Sequence, residues 1–222
     1  MAKRDWARAW FRLRRRYVRE LRGDVGEQLT LMGRAAVLEF EAGARAPLDL
    51  IPEAQAEELG QVVVQRLSSM NDDVVQAALD SYDKLPETLT VDISDLLDAS
   101  GQRMVGVTDE VRSTVGRVVA DGIRRDLPLS DIADGIQGVV DKPWRSLRVA
   151  RTEISTVGNR TVARAWQESG VEQVRISDGS TCGWFAHDDP DKADGSIRSV
   201  SEFDAMPISH PNCQRTGFPR LG

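Results

Sequence analysis

Long uncharged stretches, aromatic side chains, cysteine and histidine are what this 222-residue chain has least of. No run reaches the roughly 18 apolar residues of a membrane-spanning helix, so no membrane span is expected. The arginine-studded first residues lack the continuous apolar stretch of a secretory signal peptide, and the expectation is a cytosolic, non-secreted protein. Aromatics make up only 5% of the chain, so the core has to be lean. There are two cysteines and two histidines, and all four fall within residues 182–213, where chemistry is therefore sought. Basic charge is also short: 29 Lys and Arg against 35 Asp and Glu give a formal charge of −6, which argues against a generally basic nucleic-acid binder. What remains, 41% hydrophobic and 29% charged, suits a soluble chain of one ordinary domain or two small ones.

The average charge hides a division along the chain. Residues 1–22 hold nine Lys and Arg against two Asp and Glu, residues 23–170 fifteen against twenty-five, and residues 171–222 five against eight, or +7, −10 and −3. Three segments follow: a basic amphipathic helical arm over 1–46, an acidic helical body over 53–170 and a small loop-rich unit over 171–222.

In the arm, Trp6, Trp10, Leu13, Tyr17 and Leu21 recur at steps of three and four, an apolar stripe along one helix. Arg8, Arg12, Arg14, Arg15, Arg16, Arg19 and Arg22 occupy much of the remaining surface. Such guanidinium density suits DNA phosphate, an acidic protein face or, ranked last, an anionic membrane. The plainer alternative is a solvated basic face whose aromatic stripe packs onto the acidic middle of the same chain. Gly23 and Gly26 are expected to punctuate this helix before Val25, Leu29, Met32, Ala36 and Phe40 resume the stripe.

In the body, Leu59, Val63, Leu67 and Met70, then Val75, Leu79 and Tyr82, predict two successive helical segments closed by Pro86. Met104, Val107, Val111, Val115, Val118 and Ile123 predict a third. Ser130 reads as the N-cap of a fourth carrying Ile132 and Ile136. The last helix is expected to begin near Pro143 and to end at Ser169-Gly170. It carries Arg151, Glu153 and Asn159, read as polar ties between this helix and its surroundings, because paired guanidinium and carboxylate groups are more often architecture than catalysis.

In the last segment, Gln173–Ile176 alternates like a short strand and Asp178-Gly179 signals a turn. A unit of about fifty residues with little apolar mass should need a metal, a disulfide or a larger partner. Cys182-x4-His187 and His210-x2-Cys213 form a Cys2His2 set suited to tetrahedral, structural Zn2+. A Cys182–Cys213 disulfide, and two ordinary thiols beside two surface histidines, stay open as alternatives. Enzymatic alternatives are a cysteine-hydrolase pair of Cys182 with His210 and a zinc-dependent nuclease using His187 with Asn212, each lacking supporting residues. Calcium is not expected: counted from Asp189, Ala193 and Val200 fall where an EF-hand needs ligands. The fold class read from all this is mainly α, a multi-helix body with a long basic N-terminal helix and a small zinc-stabilised α+β C-terminal unit.

Ala150-Arg151-Thr152-Glu153 with Asn159 downstream, the turn Asp178-Gly179-Ser180-Thr181-Cys182, the Asp-rich loop ending at Gly195 and the run Pro207-Ile208-Ser209-His210-Pro211-Asn212-Cys213-Gln214-Arg215 recur in this order in a known family. Over approximately residues 90–217 the chain resembles the phage Mu F-like minor head proteins, also called phage head morphogenesis proteins. Many members carry further cysteines where this chain has Phe185 and Arg215, with His187 taking over as a ligand. The resemblance implies a non-enzymatic virion protein present in few copies inside the capsid near the portal vertex and assembled in the host cytoplasm. Its implied partners are the portal protein and the major capsid or scaffold protein, with no membrane; the basic arm, which lies outside the resemblance, is expected from its own residues to touch packaged double-stranded DNA or an acidic portal surface. A toxin-like hydrolase and a free-standing DNA-binding protein acting through its arginine-rich helix are the competing functions. No length is expected to remain for an appended toxin or protease domain.

Overall fold

Apolar residues at three- and four-residue spacing dominate the chain, and they fold as helices. The computed structural model describes residues 2–81, 88–178 and 193–220, with the backbone alone for residues 2–5. The helices are α1 (Ala2–Glu41), α2 (Pro47–Leu50), α3 (Glu53–Asp80), α4 (Ser94–Arg124), α5 (Leu129–Val140), α6 (Pro143–Glu168) and α7 (Val200–Ala205). The strands β1 (Gln173–Ser177), β2 (Ile197–Ser199) and β3 (Thr216–Arg220) form one antiparallel sheet in the order β2-β1-β3. The protein is thus mainly helical with a small sheet near its C-terminus. Among the described residues, no helix is long and apolar enough to cross a membrane.

Two compact units are present, one of residues 1–20, 66–97 and 148–222, the other of residues 21–65 and 98–147. The second unit is all helical. Its core takes Val25, Leu29, Met32 and Phe40 from α1, Leu59 and Val63 from α3, Met104, Val111 and Val115 from α4, and Ile132 and Ile136 from α5.

Several boundaries differ from the expectation. Gly23 and Gly26 do not interrupt α1. A glycine costs a helix about 1 kcal/mol, and the burial of Val25, Leu29, Met32 and Phe40 on one uninterrupted stripe outweighs that. α3 is a single helix rather than two segments, because Leu67, Met70, Val74 and Ala78 keep one stripe buried. The polar residues in its middle turn to partners on other elements: Asn71 donates to the Val91 carbonyl (3.3 Å) and accepts from Thr161 (3.3 Å). Ser130 is not the N-cap of α5. Pro128 holds that position in an extended conformation and its carbonyl starts the ladder, taking the N–H groups of Asp131 and Ile132. On α4 the buried stripe includes Thr108 and Val119, while Ile123 is exposed.

The first unit packs its aromatic residues together. Trp6 stacks on Trp10 with ring centres 6.0 Å apart and meets Trp166 edge-on at 5.8 Å, and Trp166 stacks on Phe203 at 6.3 Å. Two glycines make this possible. A Cβ on Gly158 of α6 would lie 2.2 Å from the Trp10 ring, and one on Gly217 of β3 would lie 2.8 Å from the Phe203 ring. Trp6 Nε1 donates to the Gly217 carbonyl (3.2 Å), which joins α1 to β3.

Within the sheet, Val174 and Ile176 of β1 turn to the core. β2 runs straight into α7 through a capping box, in which Glu202 N donates to Ser199 Oγ (3.1 Å) and Ser199 N donates to Glu202 Oε2 (2.7 Å). After α6, Gly170 adopts φ +75°, the left-handed conformation that ends a helix.

Candidate functional site

Residues 206–215, between α7 and β3, have no helix or strand of their own. Their backbone groups therefore need partners from elsewhere. α6 and α1 supply them within the first unit. Thr152 and Asn159 are seven residues apart and so share one face of α6. Asn159 is fully buried, and its Nδ2 donates to the carbonyls of Pro207 (2.8 Å) and Arg215 (2.9 Å). Thr152 Oγ1 accepts the N–H of Asn212 (3.0 Å), and Arg151 Nη1 donates to Asn212 Oδ1 (3.2 Å). From α1, Arg14 Nη2 donates to the Cys213 carbonyl (2.8 Å). Glu153 is buried beside Thr152, and Arg160 pairs with Asp204 of α7 (3.0 Å).

His210-Pro211-Asn212-Cys213 is a tight turn. The Cys213 N–H donates to the His210 carbonyl (3.1 Å), and Asn212 sits at φ +70° after a proline. Proline then a residue of positive φ at the two central positions is the type II pattern, and it brings His210 and Cys213 close together. His210 Nδ1 lies 2.9 Å from the Pro211 carbonyl. A carbonyl only accepts, so Nδ1 carries the proton, and in the neutral ring the lone pair lies on Nε2, the atom a metal would take. Cys213 is buried, and its Sγ accepts the N–H of Arg215 (3.4 Å). This half of the donor set fits zinc chemistry. Cys182 and His187 lie outside the described residues, as do Phe185 and the Cys182 half of the hydrolase pair. Among the described residues, no three His, Cys, Asp or Glu side chains are grouped to hold a metal ion.

A buried ion pair closes the arrangement. Arg215 and Asp178 bond as two parallel forks, Nε to Oδ1 at 2.6 Å and Nη2 to Oδ2 at 3.0 Å. Nothing in the local sequence signals this pair. Asp178 is legible in sequence only as a turn residue, and no local spacing links residues 37 apart.

The basic arm divides. Arg8, Arg12, Arg15, Arg16, Arg19 and Arg22 are exposed, whereas Arg14 is buried. Arg16 bonds Glu20 (3.1 Å) and Asp73 (3.0 Å). Tyr17 donates to Asp73 Oδ2 (2.7 Å) and the Ser69 carbonyl (3.0 Å), and burial, followed by the bond to Asp73, pushes its phenol up to about 12. On α4, the hydrogen bond from Arg164 holds the Asp95 carboxyl below the usual range. Leu13, expected on the buried stripe, is half-buried, and Arg14 takes the inward place.

The polar side chains of this region thus bond to backbone groups and to each other, an arrangement suited to holding a shape. No family model, curated protein or solved structure matches this chain.

Proposed function

We propose that this chain is a minor capsid protein of a tailed bacteriophage, built in few copies into the head beside the portal, where it assists procapsid assembly, DNA packaging or DNA delivery. One observation carries the reading. Arg151, Thr152, Asn159 and the segment from Pro207 to Arg215, on which the resemblance to the Mu F-like minor head proteins rests, meet in one hydrogen-bonded cluster. Residues that form a motif in sequence and a joint in space have a shared structural task.

That task is non-catalytic in this reading. The joint fixes the tail against α6 and α1, and the rigid face so made docks to the portal protein, with the major capsid or scaffold protein as a further contact. Cys182, His187, His210 and Cys213 are the residues that would hold a structural Zn2+. Four protein ligands leave no open position for water, so the ion would contribute folding energy rather than chemistry.

Co-expression of the tagged full chain with the portal protein of the same phage genome tests the proposal. The expected result is a complex of the two that survives size-exclusion chromatography. A folded chain that elutes apart from the portal, alone and in the presence of the major capsid protein, removes the reading.

A further inference from the structure

Arg8, Arg12, Arg15 and Arg19 follow one another along α1 at steps of four, three and four, which places them on one helix face. All four are exposed, and none has a hydrogen-bond or ion-pair partner among the described residues. The inward positions of the same turns hold Trp6, Trp10, Arg14 and Tyr17, all buried. Several other arginines of this unit do pair with carboxylates: Arg16 and Arg66 with Glu20, Arg160 with Asp204, Arg164 with Asp95 and Arg215 with Asp178. Like charges three and four residues apart work against a helix, so an unmatched row persists here because the aromatic face holds the helix in place.

We propose that this row is a binding surface for the phosphate backbone of duplex DNA, engaged without regard to base sequence. At 1.5 Å per residue the four guanidinium groups extend over about 16 Å. A duplex carries one negative charge per roughly 1.7 Å of its axis, so the row faces about ten phosphates' worth of charge. Guanidinium groups take phosphate through paired N–H donors. Residues 1–22 contain no Asn or Gln, the side chains that read adenine, so backbone attraction is the chemistry on offer. An acidic protein face is disfavoured as the occupant. Protein interfaces centre on a desolvated apolar patch, and the one large apolar residue of this row is Phe11, 43% exposed.

The surface stands on its own geometry, and identifying the duplex as a packaged genome rests on the head-protein reading. The test uses the full chain and a labelled mixed-sequence duplex, with binding followed by fluorescence anisotropy across a salt series. Neutralising four phosphates predicts a slope of log K against log salt of about −3.6, or about a 150-fold fall in affinity between roughly 50 and 200 mM. Joint replacement Arg8→Gln, Arg12→Gln, Arg15→Gln and Arg19→Gln should abolish binding with an unchanged circular dichroism spectrum. The pair Arg12→Gln and Arg19→Gln should halve the slope to about −1.8, which keeps the test available if the quadruple variant folds poorly. Arg124→Gln with Arg125→Gln, exposed arginines of the second unit, should bind as the parent does. No binding at about 50 mM salt, or a quadruple variant that binds as the parent does, overturns the proposal. Sequence-selective binding that survives high salt overturns it in favour of a regulator. Loss of portal binding in the quadruple variant, from a parent that ignores DNA, overturns it in favour of a protein partner. Duplex binding by a chain absent from phage heads would count against the head-protein reading and leave the surface standing.

Discussion

Arg215 and Asp178 face each other fork to fork, with side chains 0% and 3% exposed. The same carboxylate accepts the N–H of Ala193 (3.1 Å), while the Asp178 N–H donates to Asp194 (2.9 Å). One ion pair therefore ties the end of β1 and the approach to β2 to the start of β3.

Removing one member of a buried pair leaves the other charged and unmatched, at a cost of about 3–5 kcal/mol. Asp178→Asn and Arg215→Met should each destabilise the protein by about that much in urea unfolding. The double variant Asp178→Leu with Arg215→Met should recover much of the loss, because no lone charge is left buried. Additive losses in the double variant would show that the pair does not act as a unit.

Gly158 is the position at which α6 admits the Trp10 ring, so Gly158→Ala overpacks the first unit. A loss of about 1–3 kcal/mol is expected, measurable as a shift of the denaturation midpoint. Trp10→Phe in the same chain should relieve part of it. If Gly158→Ala stabilises the protein as a helix-propensity gain would, the close approach of α1 to α6 at this point is wrong.

The protein as purified should carry one zinc per chain by elemental analysis, and Cys213→Ser or His210→Ala should lower that content together with thermal stability. Chelation of the parent should lower its Tm. Equal Tm values with and without chelator, or a content well below one equivalent, would remove zinc from the tail.

Tyr17 links folding to alkaline pH. Its phenol stays neutral in the fold to about 12, against the ordinary tyrosine value of about 10. A raised value means that its contribution to stability is whole below about pH 10 and is lost as pH rises through about 12. In a Tyr82→Phe background, absorbance at the phenolate band should titrate near 12, and Asp73→Asn should bring the midpoint down. A midpoint near 10 in the first variant would contradict both the burial of the phenol and its bond to Asp73.

The helices were legible because burial on a helix repeats every three to four residues, and Trp6, Trp10, Tyr17, Val111, Val115, Ile132 and Ile136 follow that period into the cores. The same rule misplaced Leu13. Leu13 and Arg14 fit the stripe equally well by spacing, and the Cys213 carbonyl, 199 residues away, decides which turns inward. The capping box of Ser199 and Glu202 had a local signature, a serine three residues before a glutamate, and went unread. Gly217 likewise carried a signal, since a glycine within a strand often marks a close approach, here to Trp166 and Phe203. Of the joint, Arg151, Thr152, Asn159 and the His-Pro-Asn-Cys turn could be picked out as a motif. That Asn159 serves two carbonyls, and that Asp178 meets Arg215, depends on contacts between distant segments that no local pattern encodes.

Presence in assembled phage heads is the property that the proposed function requires first. Heads assembled from the portal, scaffold and major capsid proteins of the same phage genome can be purified and their protein composition counted by quantitative mass spectrometry. This chain is expected at a few copies per head, with the number falling when Asp178→Asn loosens the tail. Heads of normal composition that contain none of it, from cells in which it is expressed and folded, would contradict the account.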